Sequence, residues 1–181
     1  MATAITGSFY LTETVALPIA SVPGTRVTGT LDLSAYVNVP TGQCIAVESV
    51  DFVFQQGSGY SSAVNLMLAT PGALTVQLTD LNPAGGFVRA DNHSLVASGS
   101  LNIDTVNNIA THNSDLYPDN FGPAAHSESF MVVNDTLYLT VGNSSAVAGS
   151  VVYVSVRARC RVVKLSTKDW MAIAIQSTAE A

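Results

Sequence analysis

Positive charge in this sequence is concentrated in one segment near its end. Five of the seven lysines and arginines lie between residues 157 and 168, where Arg157, Arg159 and Arg161 occupy alternate positions. In a β-strand, alternate side chains share one face at a spacing of about 7 Å, so the three guanidinium groups repel one another unless an anionic partner neutralises them. The candidate partners are acidic side chains of a neighbouring subunit, anionic lipid head groups and nucleic-acid phosphates, and a solvated strand face is the alternative.

The basic segment therefore predicts an interface, either with another subunit or with an anionic membrane surface. Specific nucleic-acid binding is disfavoured, because the chain has a net charge of −6 and no aromatic residues are interleaved among the arginines. The predicted interface residues are Arg157, Arg159, Arg161, Lys164, Lys168 and Trp170.

One further cluster has side chains that can bind a metal: His112, Asp115, Asp119 and His126. Imidazole and carboxylate groups ligate zinc and similar ions, but the spacing matches no paired-ligand motif, and polar residues in a polar loop need no function. The nucleophile-elbow, dinucleotide-binding, phosphate-loop and zinc-protease motifs are absent from the sequence. We therefore predict that the protein is not an enzyme and has no cofactor, with this cluster as the one candidate metal site.

The composition is poor in ionic groups. Charged residues make up 11% of the 181 residues, against roughly 25% in an average soluble domain. Because charged residues are depleted at the centres of protein interfaces, this composition favours a protein whose exterior is largely covered by neighbours. The alternative is a secreted β-domain with an uncharged Ser/Thr surface, although the first residues lack the basic start and apolar core of a signal peptide.

The elements that must position these residues are mostly strands, because apolar residues recur with a period of two. Turn residues separate the candidate strands, and this spacing predicts an antiparallel sandwich or barrel of eight or nine strands. Residues 104–127 lack the period and predict a long loop. The candidate strands are residues 9–14, 26–33, 45–54, 64–68, 74–79, 94–101, 130–133, 137–141 and 151–163.

Two places in this pattern leave alternatives open. The apolar positions change phase between Val47 and Val50, which indicates either a β-bulge near Glu48 and Ser49 or two strands that meet at a sheet corner. After residue 165, a capping-box spacing followed by apolar residues at helical intervals favours a short helix, and a further strand fits the same residues.

Two passages resemble the last strands and the tail of a known family. They are Val-Asn-Asp-Thr-Leu-Tyr-Leu-Thr-Val at 133–141 and Val-Arg-Ala-Arg-Cys-Arg-Val-Val-Lys-Leu-Ser at 156–166. With the strand count, the scarcity of charge and the long loop, they resemble the single-jelly-roll major capsid proteins of tailless icosahedral viruses with an internal membrane, which infect archaea and some bacteria.

The resemblance implies an all-β jelly-roll sandwich over residues 1–165, with the long loop at about 104–127, and a C-terminal extension over 166–181. It also implies a capsid protein that self-assembles through lateral subunit contacts into the shell of a virion and is made in the host cytoplasm. Its partners would be copies of itself, with a second capsid protein and an anionic membrane surface as further candidates.

A ligand-binding sandwich is the alternative: a carbohydrate-binding module or the head of an adhesin or spike. Such sites present two or three exposed aromatic rings on one sheet face, and the candidates here are Tyr10, Tyr36, Tyr60 and Tyr117. A surface-layer or filament subunit is a third interpretation, which shares the self-assembly but forms an open lattice.

Overall fold

Two antiparallel β-sheets and one C-terminal helix make up the part of the chain that the structure, a computed structural model, describes, which is residues 2–114 and 130–179. The strands are β1 (Thr3–Ala4), β2 (Phe9–Leu17), β3 (Arg26–Asp32), β4 (Gln43–Gln56), β5 (Gly72–Thr79), β6 (Leu95–Asp104), β7 (Ile109–Ser114), β8 (Phe130–Val132), β9 (Thr136–Asn143) and β10 (Val152–Lys164). A 3-10 turn spans Val64–Leu66, and the helix α1 spans Thr167–Ala179. No helix in the described ranges is long and apolar enough to cross a membrane.

The strand order is that of a jelly roll. The first sheet has the order β2-β10-β4-β8, with β1 beside the end of β10, and the second has the order β3-β9-β5-β6-β7. Successive strands alternate between the sheets from β2 to β5 and again from β7 to β10. Two four-stranded sheets connected in this way form a jelly roll, here extended by β1 and β7. The predicted all-β sandwich is confirmed.

The core lies between the sheets because each strand presents every second side chain inward. In β10 this inner row is no more than 3% exposed, as the period of two predicted. Leu74, Val76 and Leu78 of β5 and Leu137, Leu139 and Val141 of β9 face it from the second sheet, all fully buried. The inner row of β10 is Val152, Val154, Val156, Ala158, Cys160 and Val162.

The phase change in β4 is a β-bulge, and the sheet-corner alternative does not apply. Arg159 of β10 pairs with Ser49, whereas the next residue, Cys160, pairs with Val47. Glu48 is therefore the extra residue of β4, and the apolar positions on both sides of it point into the same core.

The C-terminal segment forms the predicted helix and not a further strand. The Ser166 hydroxyl oxygen accepts a hydrogen bond of 3.2 Å from the backbone N–H of Asp169, which caps the first turn of α1. The apolar side of α1 packs on the outer side of the first sheet, where it covers the ends of β4 and β10. The side chains of this second cluster include Cys44, Ala46, Val133, Val163, Leu165, Trp170, Ile173 and Ala174.

Two local predictions differ from the structure. The strand predicted at 64–68 is wrong, because the backbone N–H of Met67 bonds to the carbonyl of Val64 and forms the 3-10 turn. Leu66 in this turn is 59% exposed, so the apolar spacing there does not mark a buried face. In the predicted loop 104–127, residues 109–114 instead form β7, which pairs with β6. Residues 115–129 lie outside the described residues.

The two cysteines are free and lie on opposite faces of the first sheet. Cys160 belongs to the inner row of the core, whereas Cys44 lies in the outer cluster beneath α1. Burial raises the pKa of each thiol to about 12, so both stay protonated at neutral pH.

Substitution of Leu139 by Ala tests the core. Leu139 is fully buried in β9, and its truncation removes apolar contacts and leaves a cavity, so we expect the free energy of unfolding to fall by about 2–5 kcal/mol in denaturant titration. The matched control is Leu66→Ala, at an exposed leucine, which should change the unfolding free energy by less than about 0.5 kcal/mol. Equal losses in the two variants would contradict the assigned core.

Candidate functional site

The outer side of the first sheet is the open face of the sandwich. It consists of the side chains of β2, β10 and β4 that point away from the core, and we call it the first-sheet outer face. Tyr10 is 56% and Val53 36% exposed on it. Its residues beyond the part that α1 covers are Tyr10, Thr12, Thr14 and Ala16 of β2, Tyr153, Ser155, Arg157, Arg159 and Arg161 of β10, and Glu48, Ser49, Asp51, Val53 and Gln55 of β4.

The outer side of the second sheet is partly covered by its own chain. The connection from β5 to β6, residues 80–94, folds back over this side. The Gln77 side-chain amide donates to the carbonyl of Val88 at 2.9 Å and accepts from its N–H at 2.8 Å. The Arg26 guanidinium lies 4.4 Å from the centroid of the Phe87 ring, a cation–π contact that also fixes the loop. The two sheets therefore differ in how much surface they leave for a partner.

Two of the three arginines of β10 share one anionic partner within the chain, Glu48, the bulged residue of β4. Arg159 Nε lies 3.1 Å from Glu48 Oε2, and Arg161 Nε lies 3.1 Å from Glu48 Oε1. The Ser8 hydroxyl donates to Glu48 Oε2 at 2.8 Å and accepts from the Arg161 guanidinium at 3.2 Å. Glu48 is only 4% exposed, so it acts as a buried counter-ion shared by two cations.

This counter-ion was missed from the sequence. The three arginines lie on one face, as their alternation indicates. Alternation within β10 does not indicate which residue of another strand lies beside them. The signal that could have found Glu48 was the phase change in β4. The extra residue of a bulge changes the direction of side chains. Here it places the Glu48 carboxylate on the same side of the sheet as the arginines.

Arg157 has a different environment from the other two arginines. Its guanidinium carbon lies 5.3 Å from the centroid of the Tyr10 ring on β2. Asp51 is its direct neighbour on the opposite side, in β4, and both residues are exposed. Among the described residues, Arg157 takes part in no ion pair.

The remaining predicted interface residues lie at the end of the face that α1 covers. Lys164 is exposed at the last position of β10, and Lys168 is exposed in the first turn of α1. Trp170 packs into the outer cluster, and its indole Nε1 is buried without a hydrogen-bond partner. Their role in an interface stays a prediction.

The candidate metal cluster is described only in part. His112 lies on β7, where its ring meets the Phe54 ring edge-on at a centroid distance of 5.7 Å. Asp115, Asp119 and His126 lie outside the described residues. Within residues 2–114 and 130–179, no group of three or more His, Cys, Asp or Glu side chains is close enough to hold a metal. The described environment of His112 is therefore an aromatic contact.

A groove of about 610 Å³ lies between the second half of α1, the 80–94 connection and β8. Asp80, which is 4% exposed, lies against it, and its Oδ2 accepts a hydrogen bond of 3.2 Å from the Ser177 hydroxyl of α1. The Asn134 side-chain amide donates to the backbone carbonyl of Asp80 at 3.1 Å and to Ser177 Oγ at 3.0 Å. Burial raises the pKa of Asp80 to about 6, and the hydrogen bond from Ser177 opposes this shift. These contacts fasten α1 to the end of the sandwich.

No protein-family model matches the sequence, and no curated protein matches it. Among solved structures, the chain is similar to one of Desmodium yellow mottle tymovirus, at 7% sequence identity and a TM-score of 0.36, over 88% of this chain and 89% of that chain. It is also similar to one of turnip yellow mosaic virus, at 11% identity and a TM-score of 0.30, over 88% of this chain and 95% of that chain. TM-scores this low assign neither fold nor function, and we argue both from the chain's own geometry.

Substitution of Glu48 by Gln tests the buried counter-ion. The change leaves the Arg159 and Arg161 side chains, 45% and 26% exposed, without a compensating charge. We expect the unfolding free energy to fall by about 1–3 kcal/mol, below the usual cost of breaking a fully buried pair because solvent reaches the arginines. A double-mutant cycle with Arg161→Ser should show coupling, measured by urea denaturation.

The control for this cycle is Asp91→Asn, which breaks an ion pair with Arg89 whose side chains are 88% and 67% exposed. We expect it to change stability by less than about 1 kcal/mol. Additive effects of Glu48→Gln and Arg161→Ser would contradict a shared counter-ion.

Substitution of Asp80 by Asn tests the contact between the buried Asp80 carboxyl and Ser177 of α1. Folding raises the pKa of Asp80 from the usual value near 3.8 to about 6, so the folded state holds the proton more tightly than the unfolded chain does. The contribution of Asp80 to stability is therefore fully present below pH 4 and is lost as the pH rises to about 6. The asparagine side chain does not ionise, so the Asp80→Asn variant does not lose this stability as the pH rises. At pH 8 its free energy of unfolding should exceed that of the parent by up to about 3 kcal/mol.

Thermal unfolding from pH 4 to pH 8 measures this difference. The matched control is Asp32→Asn, at an exposed carboxyl whose pKa is lowered by hydrogen bonds from Ser34, and it should give no gain at high pH. If the thermal stability of the parent and of Asp80→Asn changed in parallel from pH 4 to pH 8, the raised pKa of Asp80 would be contradicted.

Proposed function

We propose that the protein is a structural coat protein that self-assembles through lateral subunit contacts into the shell of a virion. The jelly roll is a fold of viral capsid domains, lectin domains and cupins, so the fold alone leaves several functions open. A ligand site between the sheets needs space and polar groups. Here the facing rows of the two sheets are apolar and buried, which favours function on the outside of the sandwich.

The observation that carries the proposal is the composition of the first-sheet outer face. It presents Tyr10, Val53 and Arg157 among serine and threonine side chains, and two of its arginines share the buried carboxylate of Glu48. Aromatic residues and arginine are enriched at the centres of protein interfaces, whereas lysine and glutamate are depleted there. A face of this kind on a chain with 11% charged residues suits burial against another protein.

The partners we propose are copies of the same chain, with a second coat protein as a further subunit. The internal-membrane viruses of archaea and bacteria are the class to which we assign the shell, with synthesis in the host cytoplasm. Because Arg159 and Arg161 share Glu48, part of the positive charge of this segment is already offset within the chain. This partial compensation favours contact with a subunit over contact with an anionic membrane, which is bound by clusters of uncompensated cations.

Glycan binding is the second candidate function, and exposed tyrosines are the side chains that it would use. Tyr60 is 59% exposed and packs 5.5 Å from the Tyr153 ring at one end of the first-sheet outer face. Tyr10 lies opposite Arg159, six residues along β10 from Tyr153, which places the Cα atoms of the two tyrosines about 20 Å apart. Tyr36 packs against Phe9 at 5.2 Å, and Tyr117 lies outside the described residues. Rings so far apart form no continuous platform for a sugar chain.

Size-exclusion chromatography with light scattering, followed by negative-stain microscopy of the purified protein, tests the proposal. We expect concentration-dependent association into regular capsomers or closed particles, because the open face is buried only in an assembly. A concentrated monomer at every salt concentration and pH would overturn the coat-protein proposal. Selective binding of that monomer on a glycan array would assign the second candidate function.

A further inference from the structure

Arg157 and Asp51 form a pair of opposite charges at the centre of the first-sheet outer face. They are direct neighbours across β10 and β4, and both are exposed. Side chains in such positions have Cβ atoms about 5 Å apart. The Arg157 guanidinium nevertheless lies against Tyr10 on β2, the strand on the other side of β10 from Asp51. The cation and the anion are thus presented side by side to a partner.

We propose that this face binds the same face of a second copy about a twofold axis, with Arg157 of each copy opposite Asp51 of the other. The inference rests on the proposed self-assembly and names the surface and the partner. In an isologous contact, if one residue meets another, the reciprocal contact forms as well. A neighbouring cation and anion are complementary to their own copy after a twofold rotation, so the axis passes between β10 and β4.

The charges of the face select a second copy over a strongly anionic partner. Arg159 and Arg161 share Glu48, and Arg157 stands beside Asp51, so the two anions offset two of the three positive charges. Phosphate-rich surfaces are bound by clusters of uncompensated lysine and arginine. This face has little net charge, but it has separate positive and negative positions. It therefore favours a partner whose positive and negative positions lie in the opposite order.

The groups around the pair can be covered at small cost. The hydroxyls of Thr14 and Ser155 hydrogen-bond to each other at 2.7 Å, so they keep a partner when water is removed. Tyr10 on β2 and Val53 on β4, the strands on either side of β10, flank the pair and offer apolar area at the centre of the contact. Aromatic residues in such central positions often dominate binding energy.

Two charge reversals test the pairing, Arg157→Asp and Asp51→Arg. Either one alone places like charges opposite each other twice in a twofold contact, so self-association should weaken on the order of 100-fold, measured by analytical ultracentrifugation. An equimolar mixture of the two variants restores both opposite-charge contacts and should give one-to-one complexes. The double variant Arg157→Asp with Asp51→Arg should associate with itself and shows that the reversed residues permit folding.

The control pair is Arg89→Asp and Asp91→Arg, which makes the same charge changes at exposed residues of the 80–94 connection. These variants should associate as the parent does and show no preference for each other. If the parent assembles, the twofold contact is overturned by either of two results. One is parent-like association of both Arg157→Asp and Asp51→Arg, and the other is no recovery of association in their mixture. A parent that stays monomeric would instead remove the proposed function itself.

Discussion

The pairing of β4 with β10 is the interaction on which both sides of the first sheet depend. On the inner side, it aligns the buried row of β10 with Phe52 and Phe54 beyond the bulge and with Ile45 and Val47 before it. On the outer side, it brings an acidic residue beneath the arginines. A regular strand cannot do both, because a run of apolar residues out of phase would point half of them into solvent. The bulge resolves this conflict with one extra residue, and that residue is the counter-ion.

The outer sides of the two sheets are covered to different extents, so the two faces of the sandwich are not equally available to a partner. The 80–94 connection occupies the outer side of the second sheet, and α1 closes one end of the first-sheet outer face. What remains open is a central surface on which Thr14 pairs with Ser155 and two anions offset two of the three positive charges. Such a surface is stable in water and also inexpensive to bury, which is the combination that a reversible subunit contact requires.

Much of the fold could be predicted because its signals are local. The period of two located most of the strands, and the Ser166–Asp169 spacing located the start of α1. The errors have local causes as well. Residues 64–68 have strand-like spacing, but Leu66 faces solvent in a 3-10 turn, so spacing in a short window does not establish burial. β7 is six residues long and follows a tight turn, which left too short a pattern to distinguish from a loop.

By itself, the sequence determined which side chains share a face, because alternation along a strand is set by backbone geometry within a few residues. It determined in this way that Arg157, Arg159 and Arg161 point to one side and that the valines of β10 point to the other. Only the tertiary structure decided what lies beside them. Glu48, Asp51 and Tyr10 come from strands far away in the chain, and their positions follow from strand order and register. Register is decided by the packing of the whole core, since a slip of one residue exchanges the two faces.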